Sequence, residues 1–378
     1  MARRYSKSQA RRVAKQIKKL PTWVVVTAFV LAIIIGVGYY LYVNFLKKPE
    51  YIPPKGELEF HFLSLGNKNN GDCIYVRAGD VDILIDAGSK ENSIPYIEDY
   101  LNDYVTDDTL EYVIITHADA DHIVGFSKLN GSIFDLYECK TIIDFAQVTK
   151  ERPEKTTYKN YLAEREDEIK AGATHYTALQ CWKQTDGAKR SYTLSDSITM
   201  EIMYNYYYEN VSTDENNHSV CLMFSHGSRK FMFTGDLEYD GEQKLVDYYG
   251  DKLPKVDLFK AGHHGSKTSS NDFLMARIEP TICVVSCCAG YNEFGANPEN
   301  IFPSQPFINN ISPYTDEVYV TRVVDESAAD GYSNLNGDII VISKASEKVY
   351  VEASAVDTPI KLKDTAWYKA NRTASAWD

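Results

Sequence analysis

Three short apolar runs in this chain end in clusters of ionisable residues. "YVIIT" runs into "HADADH" (117–122), "FMFT" into Gly235–Asp236, and "LFKAG" into "HHGSKTSS" (263–270). Short runs rich in β-branched and aromatic residues read as strands. Loops at strand ends are where a rigid scaffold presents functional groups. The pattern points to a sheet-based fold with its chemistry on the loops that leave the strands.

Further strands are expected at 57–66, 72–79, 81–88 and 110–116, then at 197–203 and in a hairpin over 219–236 that turns at "HGSR". Others follow at 256–262, 281–286, 317–321, 337–343 and 348–353. Helices are expected at 93–105, with Ser93 as N-cap and Pro95 in the first turn, and at 156–171, 238–250 and 271–280. This mixture fits an α/β sandwich of two mixed sheets better than a doubly wound sheet. The last 25 residues are polar apart from two tryptophans, Trp367 and Trp377, and find no place in that reading.

The chain has eight histidines, and four of them lie in two tight clusters. In "HADADH" the spacing lets His117 and Asp119 face one point, and Asp121 and His122 a second point nearby. Two imidazoles with two carboxylates suit Zn²⁺, Mn²⁺ or Fe²⁺ and are too rich in nitrogen for Ca²⁺. A helix N-cap would account for one aspartate, but not for two histidines as well. Asp236 can bridge two cations through its two oxygens. Beyond His263 and His264, the backbone N–H groups and hydroxyls of "GSKTSS", with Ser266 and the charge of Lys267, can hold phosphate oxygens.

Charge divides the chain. Residues 1–50 carry ten Lys+Arg and one acid, whereas 51–378 carry 30 Lys+Arg against 52 Asp+Glu, a net of −22. Between the basic and acidic parts lies Trp23–Val43, 21 residues without a charge. At 1.5 Å per residue this run reaches across the roughly 30 Å hydrocarbon core. Trp23 stands at one end and Tyr39, Tyr40 and Tyr42 at the other, as interfacial aromatics do. The basic segment before it places the N-terminus in the cytoplasm and the rest outside. The run is too long for a signal-peptide core, and "NFLKKPEYIPP" after it offers no small-residue cleavage site. The expected organisation is a basic cytoplasmic segment (1–21), a single transmembrane helix (22–46), a linker (47–56), a catalytic-type domain (57–354) and a tail (355–378). Seven cysteines make no disulfide framework and match no zinc-finger spacing. Most sit in strand-like runs and read as small buried hydrophobes.

"ILIDAG", "THADADH", "FTGD" and "KAGHHGSKTSS" come in the order of the metallo-β-lactamase superfamily. Together with "GDCIYV" they resemble the branch typified by the C-terminal domain of the competence protein ComEC, over about Glu57 to Lys344. The exported teichoic-acid phosphorylcholine esterases stand nearby. The resemblance implies an αββα metallo-β-lactamase-like sandwich holding two divalent metal ions, Zn or Mn. It implies that His117 and Asp119 bind one ion. Asp121 and His122 would bind the other with one histidine of "HHGS", His264 in preference to His263. Asp236 would bridge, and Asp86 would fix the ligand loop. Catalytic roles would fall to Asp121, His263 and His264. Ser266, Lys267, Asn217 and Asn297 would lie near the substrate.

Two departures stand out. Many superfamily members carry a further ligand histidine before the bridging aspartate. Here the region reads "ENNHSVCL", in which Asn217 and Ser219 fit the ComEC-like pattern and His218 falls where that pattern is free. The branch often shows a His-Pro pair after an Asn; here Asn297 precedes Pro298. The resemblance implies a metal-dependent phosphodiesterase or nuclease, its partners the membrane and a phosphodiester substrate such as single-stranded DNA or an envelope polymer. A teichoic-acid or phosphorylcholine esterase and a non-catalytic metal-binding protein are the competing expectations. Against nucleic acid stands the acidic charge of the outer part; the tyrosines of "MYNYYYEN" (203–210) could stack bases, but an aromatic strand and loop packing on the core is the favoured reading.

Overall fold

The computed structural model describes residues 21–41 and 57–377 except 296 and 346. The chain forms two compact units, residues 1–51 and 52–378. Of the first, the described part is a helix, Thr22–Leu41, without a charged residue. It exposes Trp23, Val26, Val30, Leu31, Ile33, Ile34, Ile35 and Val37. Among the described residues no helix is long and apolar enough to cross a membrane. Several side chains inside this helix, Val25, Ala28 and Phe29 among them, fall outside the described set. The expected transmembrane span is therefore not established by the structure, and its flanks, 1–20 and 42–56, lie outside the described residues.

Among the described residues the second unit holds sixteen strands. β1 (Glu57–Phe62), β2 (Ile74–Ala78), β3 (Val81–Ile85), β4 (Thr109–Ile115), β5 (Glu138–Asp144) and β6 (Thr174–Thr177) come first. β7 (Ser191–Ser195), β8 (Ile198–Ile202), β9 (Leu222–His226), β10 (Arg229–Phe233), β11 (Leu258–Lys260), β12 (Ile282–Ala289), β13 (Val318–Val324) and β14 (Tyr332–Ser333) follow. β15 (Ile339–Lys344) and β16 (Tyr350–Ala353) close the series. One eight-stranded sheet runs β16-β15-β1-β2-β3-β4-β5-β6 and the other β14-β13-β12-β11-β10-β9-β8-β7. Each is mixed: β3 to β6 are parallel, as are β10 to β13.

The sheets pack face to face. Phe60 of β1 meets Phe224 of β9 and Phe231 and Phe233 of β10 at ring-centroid distances of 5.3, 4.9 and 5.2 Å. The first sheet's other face is covered by helices Ile94–Leu101 and Thr156–Ala171, through Ile94, Ile97, Leu101 and Tyr161. The second is covered by helices Tyr239–Tyr249, Asp272–Ile278 and Gln305–Ile311, through Leu245, Leu274, Met275, Phe307 and Ile308. The result is the four-layer αββα sandwich, and the ends of β3, β4, β10 and β11 converge where the two sheets meet.

Two sequence expectations change. β5, β6, β7 and β14 are additional strands: "THYT", "SYTLS" and "YS" are short edge strands, where burial imposes little apolar pattern, while β5 ("ECKTIID"), one strand in from the edge, opens on charged, exposed positions and is continuously buried only at its end. The terminal stretch belongs to the body. Leu362 is fully buried, the Trp377 indole N–H donates to Thr315 O (2.8 Å), and Arg372 donates to Pro303 O and Ile301 O (2.8 Å each). The Tyr-rich segment packs, as its favoured reading has it: it folds into a tight turn, with Tyr208 buried and Tyr204 stacked on Tyr248 at 4.0 Å. All seven cysteines are free and buried.

Candidate metal centre

The loop after β3 starts the site. Asp86 adopts a left-handed backbone (φ +58°), a conformation aspartate tolerates better than most residues. Its carboxylate accepts from Thr116 N (2.8 Å), Thr116 Oγ1 (2.7 Å) and His122 Nδ1 (2.7 Å). Asp86 thus binds the start of the "HADADH" loop to its own strand. Because a carboxylate only accepts, it also fixes the His122 proton on Nδ1 and leaves Nε2 to face Asp236 Oδ2 at 3.1 Å. Gly88 permits the close approach this needs. A Cβ there would lie 1.7 Å from Asp121 O.

The loop after β11 supplies the adjacent histidines. His263 and His264 are both left-handed (φ +45° and +54°), and Glu242 holds the downstream turn by accepting from Ser270 N (2.6 Å) and Asn271 N (2.9 Å). The two rings diverge. His264 is fully buried and its Nδ1 donates to Ser286 O (3.0 Å), which leaves Nε2 3.2 Å from Asp236 Oδ2 and 3.5 Å from Asp121 Oδ2. His263 instead directs Nδ1 to Glu238 Oε1 (3.1 Å) and lines a cleft. Burial raises the Glu238 pKa, but the His263 hydrogen bond and charge outweigh it and hold the carboxylate down at about 2.

Asp121, His122, Asp236 and His264 bring four ligand atoms within 4.8 Å of one another. The set is mixed oxygen and nitrogen, each imidazole has its outer nitrogen tied, and His264 Nε2 is buried without a hydrogen-bond partner. These residues fit a divalent transition metal. Burial opposes the charge on Asp236, yet His264, His122 and Lys260 hold its pKa well below the usual carboxylate range. His122 and His264 are raised well above theirs, against burial, chiefly by Asp236.

His117 and Asp119 lie beside this set, the His117 ring centroid 4.1 Å from that of His122 and Asp119 in the same cleft as Asp121 and Asp236. His117 Nδ1 meets Thr116 Oγ1 (3.0 Å), and its Nε2 is 3.5 Å from Asp119 Oδ2 and otherwise unpartnered. Asp119 Oδ1 is paired with Arg152. Ser219 Oγ accepts from Asp236 N (3.1 Å), while the buried His218 turns its Nε2 to Ser212 N (3.0 Å), away from the centre.

Sequence reasoning missed Asp72, Lys260, Arg152 and Glu238. Lys260, fully buried at the end of β11, pairs with Asp72 and reaches Asp236 Oδ1 (3.2 Å) and Gly235 O (3.2 Å). A lone lysine inside the apolar "VDLFKAG" is a signal, since lysine is almost never buried unpaired. Asp72 had one in the "GDC" before β2. Asn217 does not reach the cleft: its Oδ1 accepts from Glu238 N (3.3 Å). Asn297 is also a correction. It is exposed and caps its own turn at Glu299 N (3.1 Å), while Asn300 lines the cleft instead. The next Pro takes the first position of that turn, which draws the Asn side chain onto local backbone.

The cleft, about 440 Å³, opens beside the four-donor set. Asp119, Asp121, Asp236, Glu238, His263, Ser266, Lys267, Thr268, Asn300, Phe294 and Phe302 are among its lining residues. Lys267 also pairs with Glu299 (3.0 Å).

The metallo-beta-lactamase superfamily model matches residues 66–132, the stretch that carries Asp86 and "HADADH". Among curated proteins, Recombination protein 2 of Haemophilus influenzae is 33% identical over 20% of this chain and 9% of its own length. ComE operon protein 3 of Bacillus subtilis is 26% identical over 48% of this chain and 20% of its own. Competence protein ComA of Neisseria gonorrhoeae is 25% identical over 65% of this chain and 28% of its own. The chain thus spans less than a third of the length of each of these relatives. Residues 66–132 match the metallo-beta-lactamase superfamily within a two-sheet α/β sandwich, and the three relatives just named are by name a recombination, a ComE operon and a competence protein, consistent with a ComEC-like branch.

Proposed function

We propose that this protein is a metal-dependent hydrolase of phosphodiester bonds, nuclease-like in type. The convergence of Asp121, His122, Asp236 and His264 beside a polar cleft carries the reading. These four residues would hold the cation, which when bound supplies Lewis acidity and makes water a nucleophile near neutral pH. The chain's own groups do the rest. Asp121 and Asp236 orient the attacking water from the floor of the cleft. Ser266 offers a hydroxyl and Lys267 a positive charge to the phosphate oxygens, while Thr268 Oγ1 donates to Glu238 Oε1 (2.8 Å) and holds that carboxylate in place. His263, with Nδ1 committed to Glu238, has Nε2 left to exchange a proton with a substrate oxygen.

Competence and recombination in the relatives' names support a DNA substrate. The net −22 of residues 51–378 favours a second reading, a phosphoesterase acting on envelope polymers or head groups. In both readings the charge pattern of the sequence supports a membrane anchor in the apolar run 23–43, with the basic segment before it cytoplasmic.

The test is hydrolysis of bis-p-nitrophenyl phosphate by the purified protein with Mn²⁺ or Zn²⁺, followed by single-stranded DNA degradation against phosphorylcholine release. Turnover should require the metal. His122→Ala should lose more than the roughly 10–100-fold typical of residues that merely support ligands. No turnover with either metal, or equal activity in His122→Ala, would sink the enzyme reading.

A further inference from the structure

The cleft carries an aromatic wall that the metal centre does not use. Phe302 is buried, and its ring centroid stands 5.8 Å from that of His263. Phe294 follows at 5.4 Å from Phe302 and is 48% exposed. The three rings run in a row from His263 out to solvent. One exposed apolar side chain is ordinary by itself. This one lines the cleft and rests on a second ring that lines it too.

The loop after β12 holds Phe294 in that place. At its start Gly290 N donates to Phe302 O (2.9 Å), which ties the loop to the segment that carries the buried ring. Beside Phe294, Glu293 accepts from Asn69 Nδ2 (2.7 Å) and Asn70 N (2.8 Å). The exposure of the ring is therefore built into the loop. Lys68 Nζ lies 5.0 Å over the Tyr291 ring of the same loop, and Asn300 and Lys267 line the cleft with Phe294. A flat apolar face with an amide and cations around it suits an unstacked nucleobase. The face stacks, the amide meets the base edge, and the cations meet the backbone. A quaternary ammonium head group fits less well. Such cations are enclosed by aromatic cages, whereas Phe294 gives one open face, and the cleft carboxylates Asp119 and Glu238 are already paired with Arg152 and His263.

We propose that Phe294 is a specificity-determining residue that stacks a nucleobase of the strand being cut, which makes the substrate class single-stranded nucleic acid. This rests on the phosphodiesterase reading above and deepens it. A base inside a duplex has both faces covered and must leave the stack to reach such a ring. Lys68 and Lys267 supply positive charge locally, so the acidic balance of the whole domain does not decide against a polyanion at this lip of the cleft.

The test compares two single-stranded oligomers of equal length, one of thymidylate and one with the bases removed and the sugar–phosphate backbone kept. With the full chain and Mn²⁺, kcat/KM for the thymidylate oligomer should exceed that for the abasic one by about 5–150-fold. Phe294→Ala should lose most of that preference, and Phe294→Trp should keep it. The readout is a ratio between two substrates within one variant, so a loss of folded protein or of metal cancels. Equal cleavage of both oligomers by the wild type overturns the proposal, as does a preference that survives in Phe294→Ala, including the case where that variant loses only phosphorylcholine release. Hydrolysis of bis-p-nitrophenyl phosphate with neither oligomer cleaved overturns it and leaves the phosphodiesterase reading standing. No turnover of any of the three substrates overturns both.

Discussion

Lys260→Met should expose how the centre manages its charge. Lys260 Nζ lies fully buried, paired with Asp72 and 3.2 Å from Asp236 Oδ1. At that separation and an effective dielectric of about 20, Coulomb attraction to Asp236 alone is about 5 kcal/mol before desolvation. Methionine keeps most of the volume and removes the charge, which leaves two buried carboxylates without their cation. Breaking a buried pair from one side costs about 3–5 kcal/mol. With an unfolding entropy near 2.1 cal/mol/K per residue over roughly 320 residues, that is a fall in Tm of about 4–7 °C. The assay is thermal and urea unfolding in chelator and again in saturating Mn²⁺. The ion restores positive charge beside Asp236, so the loss should shrink to roughly half, and by linkage the variant should bind Mn²⁺ more tightly than wild type. A loss below about 1 kcal/mol in chelator, or one that metal leaves unchanged, would refute the assignment of Lys260 as the internal counter-charge.

Two further outcomes follow from the loops that frame the centre. Gly88→Ala drives a Cβ to 1.7 Å from Asp121 O; the "HADADH" loop must shift, and Mn²⁺ affinity measured by calorimetry should fall by about 10–100-fold, whereas an affinity within about twofold of wild type contradicts that packing. Burial pushes Glu242 up from 4.5 to about 7, so between those values the folded state holds a proton that the unfolded state has lost. Stability relative to Glu242→Gln should then fall as pH rises from about 4.5 to about 7, by about 3 kcal/mol in all, and a difference flat with pH in urea unfolding would exclude it.

What the sequence discloses and what it withholds divide along a physical line. The donors were legible because they are local. His117, Asp119, Asp121 and His122 fall within six positions after an apolar strand, and Asp236 and "HHGS" each follow another such strand. The central strands announced themselves the same way, through apolar runs that two-sided burial demands, while β6 and β7, near the edges, had no such demand to meet. The pairing of the counter-charges was not legible. Asp72 with Lys260, and Arg152 with Asp119 and Glu215, are paired only by the meeting of distant loops, and no local pattern marks such a pair. His263 and His264 show the limit most sharply. They are adjacent and chemically identical, and both sit in left-handed backbone. Their roles differ because one Nδ1 finds the carbonyl of Ser286 and the other the carboxylate of Glu238. Those partners belong to β12 and to the loop after β10. The choice of ligand is therefore made by the sheet and its neighbours, and a motif read alone can count the donors but not aim them.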